Sequence, residues 1–395
     1  MDNPFTLVSK IYQAILCRWH LWFSPAKDDD PKKKPKLSIK DIAKLTCPPY
    51  SLMQCGLTLG FPLAEFEKSF IGREEQLEQL QQSLDNWQDG QGELTCIVAP
   101  FGSGLSTLLS VFVASQKPGV SIGFMSFYQA PLTPKEAIAQ LYACFNINQA
   151  PDSITQAIKL IKQQPAQVMI LDNLHKLMIR LMGNYQALVT LATILMETRT
   201  QHCWIFGCES FAWQRLTSQY QINNYIKFVI KIDYFTLDET TELIHQYLNE
   251  LELLTTEEEA ELREQACKQI YMTSSGQPKL AKLLLFDAIK LDDSQNMYFS
   301  EISELDTGSL KQCKDEDLFS LAEVYVHGGL SVRQHSDIFT ASIEQSSLKL
   351  EYLSRQGMLF AQYSHYDFAA HKYGVPPCLT KIVASHLVNN NKLFK

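Results

Sequence analysis

Residues 99–107 read Ala-Pro-Phe-Gly-Ser-Gly-Leu-Ser-Thr, between a short apolar run and a stretch of helical character. Closely spaced glycines let backbone N–H groups turn toward an anion, and the start of a helix adds a favourable dipole. Together they make a phosphate loop of the pattern G-x-x-x-x-G-K-[ST]. Gly102, Ser103 and Gly104 would form the backbone cradle, and Ser106 and Thr107 supply hydroxyls, Ser106 at the magnesium-holding position. Ala99 stands where the first glycine belongs, and Leu105 stands in place of the lysine that neutralises β and γ oxygens. Losing a charge-assisted contact of this kind costs about 1.5–3 kcal/mol, roughly ten- to a hundredfold in affinity.

The second group such chemistry needs is an acid at the end of an apolar strand. The stretch Val168–Leu177 supplies Asp172 as a magnesium ligand, but the neighbour that would orient an attacking water is Asn173. An amide can hold a water, yet it cannot accept its proton at neutral pH. No catalytic residue is therefore assigned. Lys117, Lys176 and Lys279 are nominal replacements for the lost lysine, and Arg215 is a nominal arginine finger, each reading more simply as a solvated surface charge. Cys208, Glu209 and Ser210 leave the polar sensor of the fourth strand unassigned.

The elements that must hold this loop follow an alternating pattern. Apolar β-rich runs at 94–99, 120–127, 167–172, 203–208 and 227–232 are separated by helical stretches, the signature of a parallel sheet covered on both faces. The cysteines within 202–208 read as core, because free cysteine behaves as a small hydrophobe. After residue 235 strands give way to helices; Leu237, Leu243, Ile244, Tyr247 and Leu248 share one helical face. Residues 294–317 read as a polar connection. The final stretch predicts helix, glycine turn, two helices, a strand pair and a last helix, the order of a winged helix.

Composition sets the outer bounds. A chain of 395 residues with 46% hydrophobic content can bury a large core, and a net charge of −8 argues against coating nucleic acid. Residues 311–395 hold nine Lys/Arg against eight Asp/Glu, so a DNA contact is not favoured there. Ten scattered cysteines without C-x-x-C spacing fit reduced thiols in a cytoplasmic setting. Residues 5–23 are rich in large apolar side chains and precede a Lys-rich, proline-broken linker. Residues 5–36 could thus lie against an anionic membrane surface, at its inner face, or dock on protein.

The segment Phe70–Leu84, beginning Phe-Ile-Gly-Arg-Glu, resembles the segment that precedes the loop in AAA+ and STAND-type P-loop ATPases. Residues 234–248 and 274–288 are similar to the lid of the subgroup that contains secretion-type, transposition-type and origin-recognition ATPases, with Lys279 at its basic position. The resemblance implies an α/β parallel-sheet P-loop NTPase core with a helical lid and a C-terminal winged-helix-like domain. It implies Ile71, Gly72 and Arg73 near an adenine, ATP or ADP with magnesium as the ligand, and other protein subunits, identical or different, as partners. The expected division is 1–24 amphipathic segment, 25–65 linker and irregular region, 66–235 core, 236–293 lid and 294–395 C-terminal domain. With the lysine and polarising acid missing, the expectation is a pseudo-ATPase scaffold; the second reading is a DNA-associated regulator.

Overall fold

The computed structural model describes residues 35–44 and 70–394, apart from 118, 128–129, 151, 182–183, 255, 292–296 and 363–369. The amphipathic N-terminal stretch expected at 1–24 lies outside the described residues. The chain begins with β1 (Lys36–Ser38) and α1 (Ile39–Lys44), then α2 (Glu74–Gln88) and β2 (Leu94–Ala99). The core continues through α3 (Leu105–Ser115), β3 (Ile122–Ser126), α4 (Pro134–Cys144), α5 (Ile154–Lys162), β4 (Gln167–Asp172), α6 (Asn184–Thr198), β5 (His202–Glu209), α7 (Ser210–Tyr220) and β6 (Phe228–Lys231).

These five core strands form one parallel sheet in the order β3-β4-β5-β2-β6. Their continuous apolar runs have the expected cause: β2 and β5 are buried at every position, with helices packed on both faces. The cysteine-bearing run at 202–208 is indeed core, and Trp204 is fully buried with its indole N–H donating to the Thr198 hydroxyl at 3.2 Å. Because β2 lies between β5 and β6, chains leaving β2 and β5 depart toward opposite edges. Ligands of open α/β sheets bind at such a switch point, outside the carboxyl ends of the strands.

Three helices follow: α8 (Leu237–Glu250), α9 (Ala260–Ser274) and α10 (Pro278–Ala288). Thr236 and Glu239 close a reciprocal capping box at the start of α8, and Pro278 opens α10. The stretch read as a polar connection contains more order than its composition suggests. It carries part of a hairpin of β7 (Ile289–Leu291) and β8 (Met297–Phe299), then β9 (Glu304–Asp306) and a short helix α11 (Gly308–Lys311).

The C-terminal unit has α12 (Asp315–Val326), β10 (Leu330–Ser331), α13 (Val332–Phe339), α14 (Ile343–Arg355), β11 (Phe360–Gln362), β12 (Lys372–Gly374) and α15 (Thr380–Asn389). Its small sheet has the order β10-β12-β11, which with α12 to α14 makes a winged-helix arrangement. Ser331 and Ser342 form capping boxes with Gln334 and Gln345, so both inner helices start where their sequences direct.

One segment, in which the sequence offers a single short helix within irregular chain, is more ordered than that. Residues 35–44, assigned to the linker and irregular region, are built into the fold: β1 pairs in parallel with β9, and Ile39 and Ile42 are buried in the main core. Cys378 donates its thiol to the Ile42 carbonyl at 3.8 Å, tying this segment to the C-terminal unit. Two isoleucines three residues apart bury one face of α1, a signal too brief to read without its partners. No helix among the described residues is long and apolar enough to cross a membrane. Ile42→Ala should destabilise the protein by about 2–5 kcal/mol, read as a lowered urea midpoint, because it opens a cavity in close-packed core. An unchanged midpoint would place residues 35–44 outside the cooperative fold.

Candidate nucleotide site

The carboxyl ends of β2, β4 and β5 bring three functional positions together: the loop after Ala99, Asp172, and Glu209. Gly102 and Gly104 have φ values of 80° and 101°, a left-handed backbone that favours glycine. Gly104 caps α3 without any side-chain hydrogen bond, so the first N–H groups of that helix keep no intrahelical partner. The Ser103 hydroxyl is buried and has no hydrogen-bond partner among the described residues. Ser106 and Thr107 are exposed on the first turn of α3. The backbone half of a phosphate cradle is therefore in place.

The charged half is not. A Cβ on Gly207 of β5 would stand 2.6 Å from Asp172 Oδ1 and 3.1 Å from Leu105 Cδ2, so the acid and the leucine press on the same glycine. Leu105 thus fills the lysine position with apolar packing; it belongs to the core face with Ile97, Leu108 and Ile205. Burial raises the Asp172 pKa, partly offset by the bond its Oδ1 accepts from the Asn173 N–H at 2.7 Å and by the charge of Lys176. Asn173 has a left-handed φ of 61° and donates its side-chain amide to Ser126 Oγ at 2.6 Å, away from a water-positioning role. No cluster of three or more metal-ligating side chains occurs among the described residues. The loop thus presents backbone N–H donors at the start of α3, with Leu105 rather than a cation beside them.

The segment at 71–73 is drawn to the lid. Ile71 is buried, and a Cβ on Gly72 would fall 2.5 Å from Glu239 Oε1. Arg73 donates to the Asp233 carbonyl at 2.5 Å and lies over the Phe235 ring, 5.1 Å from its centroid. Arg215, read as a finger or as a solvated charge, is neither. It makes a two-pronged ion pair with Glu323 of α12, at 2.9 and 3.2 Å, because the C-terminal unit packs on α7. Lys117 is exposed; Lys176 is half-buried and close enough to Asp172 for that charge to act on it.

Sequence reasoning missed the groups that clamp the loop. The Phe101 carbonyl accepts from Tyr234 Oη at 3.0 Å and from Thr380 Oγ1 at 2.9 Å. The Gln277 amide donates to the Pro377 carbonyl and to Thr380 Oγ1, and both Gln277 and Pro377 close over Gly102. The Phe101 ring meets His175 and Tyr325 edge-on, with centroids 5.0 and 5.3 Å apart. Loop, lid and C-terminal unit share this joint. Its partners lie 133 and 279 residues from Phe101, so no local pattern marks them.

The described residues form a parallel α/β core with a glycine loop after β2, a helical unit after it and a winged-helix-like C-terminal unit, the fold class the sequence led one to expect. No family model matches the sequence, and no curated protein matches it. Among solved structures the chain is similar to the Aeropyrum pernix ORC2 protein in ADPNP and ADP complexes, at 14% identity and a TM-score of 0.38, over 82% of this chain and 98% of that one. It is similar to CDC6P of Pyrobaculum aerophilum at 13% identity and a TM-score of 0.41, over 84% and 99%. Drosophila ORC bound to DNA is similar at 12% identity and a TM-score of 0.42, over 98% and 100%. At these values the fold class stands on the strand order and the loop geometry.

Glu209 carries a testable consequence. Its Oε2 accepts the Ala212 N–H at 2.9 Å as the cap of α7, and burial pushes its pKa from 4.5 up to about 8 despite the backbone N–H groups that lower it. The folded state holds this proton more tightly than the unfolded chain does, so stability declines as pH rises from about 5 to about 8. Glu209→Gln keeps a cap acceptor and removes the charge; it should flatten that part of the curve of urea midpoint against pH. An equal decline in the variant would locate the responsible group elsewhere.

Proposed function

We propose that this chain is an AAA+-like pseudo-ATPase that serves as a scaffold or regulatory adaptor among protein subunits. The observation that carries the reading is Leu105 packed with Asp172 against Gly207, apolar contact in the place of the phosphate-neutralising lysine. Hydrolysis depends on charge stabilisation concentrated in the transition state, and both the lysine and the polarising acid that would supply it are absent. What remains is a backbone cradle able to hold ATP or ADP as a structural ligand, with Gly102, Ser103, Gly104, Ser106 and Thr107 as its residues. The adenine side at Ile71, Gly72 and Arg73, and Ser106 with Asp172 as the metal pair, belong to the same proposal. So do the five-part division of the chain, a cytoplasmic setting, and residues 5–36 as an anchor to protein or to an anionic membrane face.

When bound, nucleotide would supply phosphate charge at the start of α3. The chain's own groups do the rest: Gly104 leaves the helix N–H groups open, and Leu105 withholds a countercharge. Purified protein should show no ATP turnover above background, and a fluorescent ATP analogue should bind Leu105→Lys about tenfold or more tighter than the natural chain. Robust turnover abolished by Asp172→Ala would overturn the reading.

A second reading, a DNA-associated AAA+ regulator, is favoured by the winged-helix unit with Lys372 on its strand pair. Duplex binding by phosphate contacts must weaken steeply as salt rises, because each neutralised phosphate releases a counterion. A steep salt slope in a duplex titration supports that reading, and salt-independent or absent binding removes it.

A further inference from the structure

A cavity of about 320 Å³ lies between the α/β core and the winged-helix unit, with the Phe101 ring behind its Gly328 turn. The core contributes Lys176, Met178 and Ile179, which follow β4; the C-terminal unit contributes the Gly328–Gly329 turn, Gln334 and Gln362, and Lys372 beside Phe360. Two ammonium groups thus face one space from separate parts of the chain. No carboxylate lines the cavity among the described residues, and no ion pair joins either lysine to a described carboxylate within 4 Å. Glu323, on the helix before the turn, is already committed to Arg215 and His327.

The electrostatics agree with this geometry. Lys176 is held below its usual pKa first by burial and next by the charge of Lys372, with Asp172 acting the other way. Directly behind the turn, His175 is buried with no hydrogen-bond partner on either ring nitrogen among the described residues. Its Nε2 stands 2.5 Å from where a Cβ on Gly328 would sit, so it points at the cavity floor. Burial and the neighbouring charges of Lys176 and His327 bring the His175 pKa down to about 3, which keeps the ring neutral. Like charges converging on a partly desolvated space favour a polyvalent anion, and phosphate oxygens take charge-assisted bonds from ammonium donors. The remaining lining is of another kind: Met178 and Ile179 are apolar, Phe360 offers an accessible ring, and Gln334 and Gln362 carry amides.

We infer that this cavity binds a small phosphate ester, its phosphate between Lys176 and Lys372 and its organic part against Phe360 and Met178. The volume falls in the range of small-molecule sites and suits a sugar phosphate or nucleoside monophosphate. Since it draws on both parts of the chain, such a ligand strengthens their association by binding only the closed arrangement. The inference does not require nucleotide in the phosphate loop, although Phe101 of that loop lies behind the Gly328 turn.

The test is isothermal titration of the full chain with AMP and with inorganic pyrophosphate. The variants are Lys176→Gln, Lys372→Gln, and, for the phosphate loop, Ser106→Ala. The expected result is AMP binding that pyrophosphate competes away, weakened about tenfold or more by either lysine substitution and unchanged by Ser106→Ala. Circular dichroism and thermal melts of the variants establish that they are folded. Binding lost in Ser106→Ala but kept in both lysine variants would put the ligand in the phosphate loop and overturn the inference, as would no binding of either probe at millimolar concentration. A short duplex that binds through the two lysines while AMP does not would assign the cavity to nucleic-acid phosphates, which also overturns it.

Discussion

Everything around the candidate site turns on how the Phe101 residue is held. Its carbonyl takes hydroxyl bonds from Tyr234 beside the lid and Thr380 at the start of α15, and its ring is gripped edge-on by His175 and Tyr325. A loop that elsewhere would stay adaptable to a ligand is here a joint between three parts of the chain. Carbonyls bonded from two sides and rings packed at close range resist rearrangement, since the interior is dense and the polar atoms would otherwise be orphaned.

That joint explains the charge distribution nearby. Glu209 lies under the loop with Tyr325 packed over it, and it is held near neutral by burial. Glu323 meets the opposite fate: burial would raise its pKa, but hydrogen bonds from His327 and Arg215 outweigh that and bring it to about 2. Two acids of the same chemistry thus shift in opposite directions: burial outweighs the hydrogen bonds at Glu209, and the bonds from His327 and Arg215 outweigh burial at Glu323. The Arg215–Glu323 pair stays charged and ties α7 to α12.

The joint also separates two kinds of surface. On the loop side, backbone donors remain without a cation to complete them. On the side of the strand pair, Lys176 and Lys372 line one cavity with no carboxylate among the described lining residues.

The sequence by itself determined the sheet strands, the loop, and the pairing of Asp172 with Asn173. Those features are carried by local patterns: apolar runs of strand length, and glycines next to a helix start. It also exposed the missing lysine, because one position in a fixed spacing is legible on its own. Tertiary structure alone decided what Leu105 does in that position, that Asn173 turns to Ser126, that Arg215 serves a domain joint, and that residues 35–44 form a strand and helix of the core. Each of these depends on a partner that is distant in sequence, such as Thr380 for Phe101 or β9 for β1. A contact across hundreds of residues leaves no periodicity in either segment, so only the packed chain reveals it.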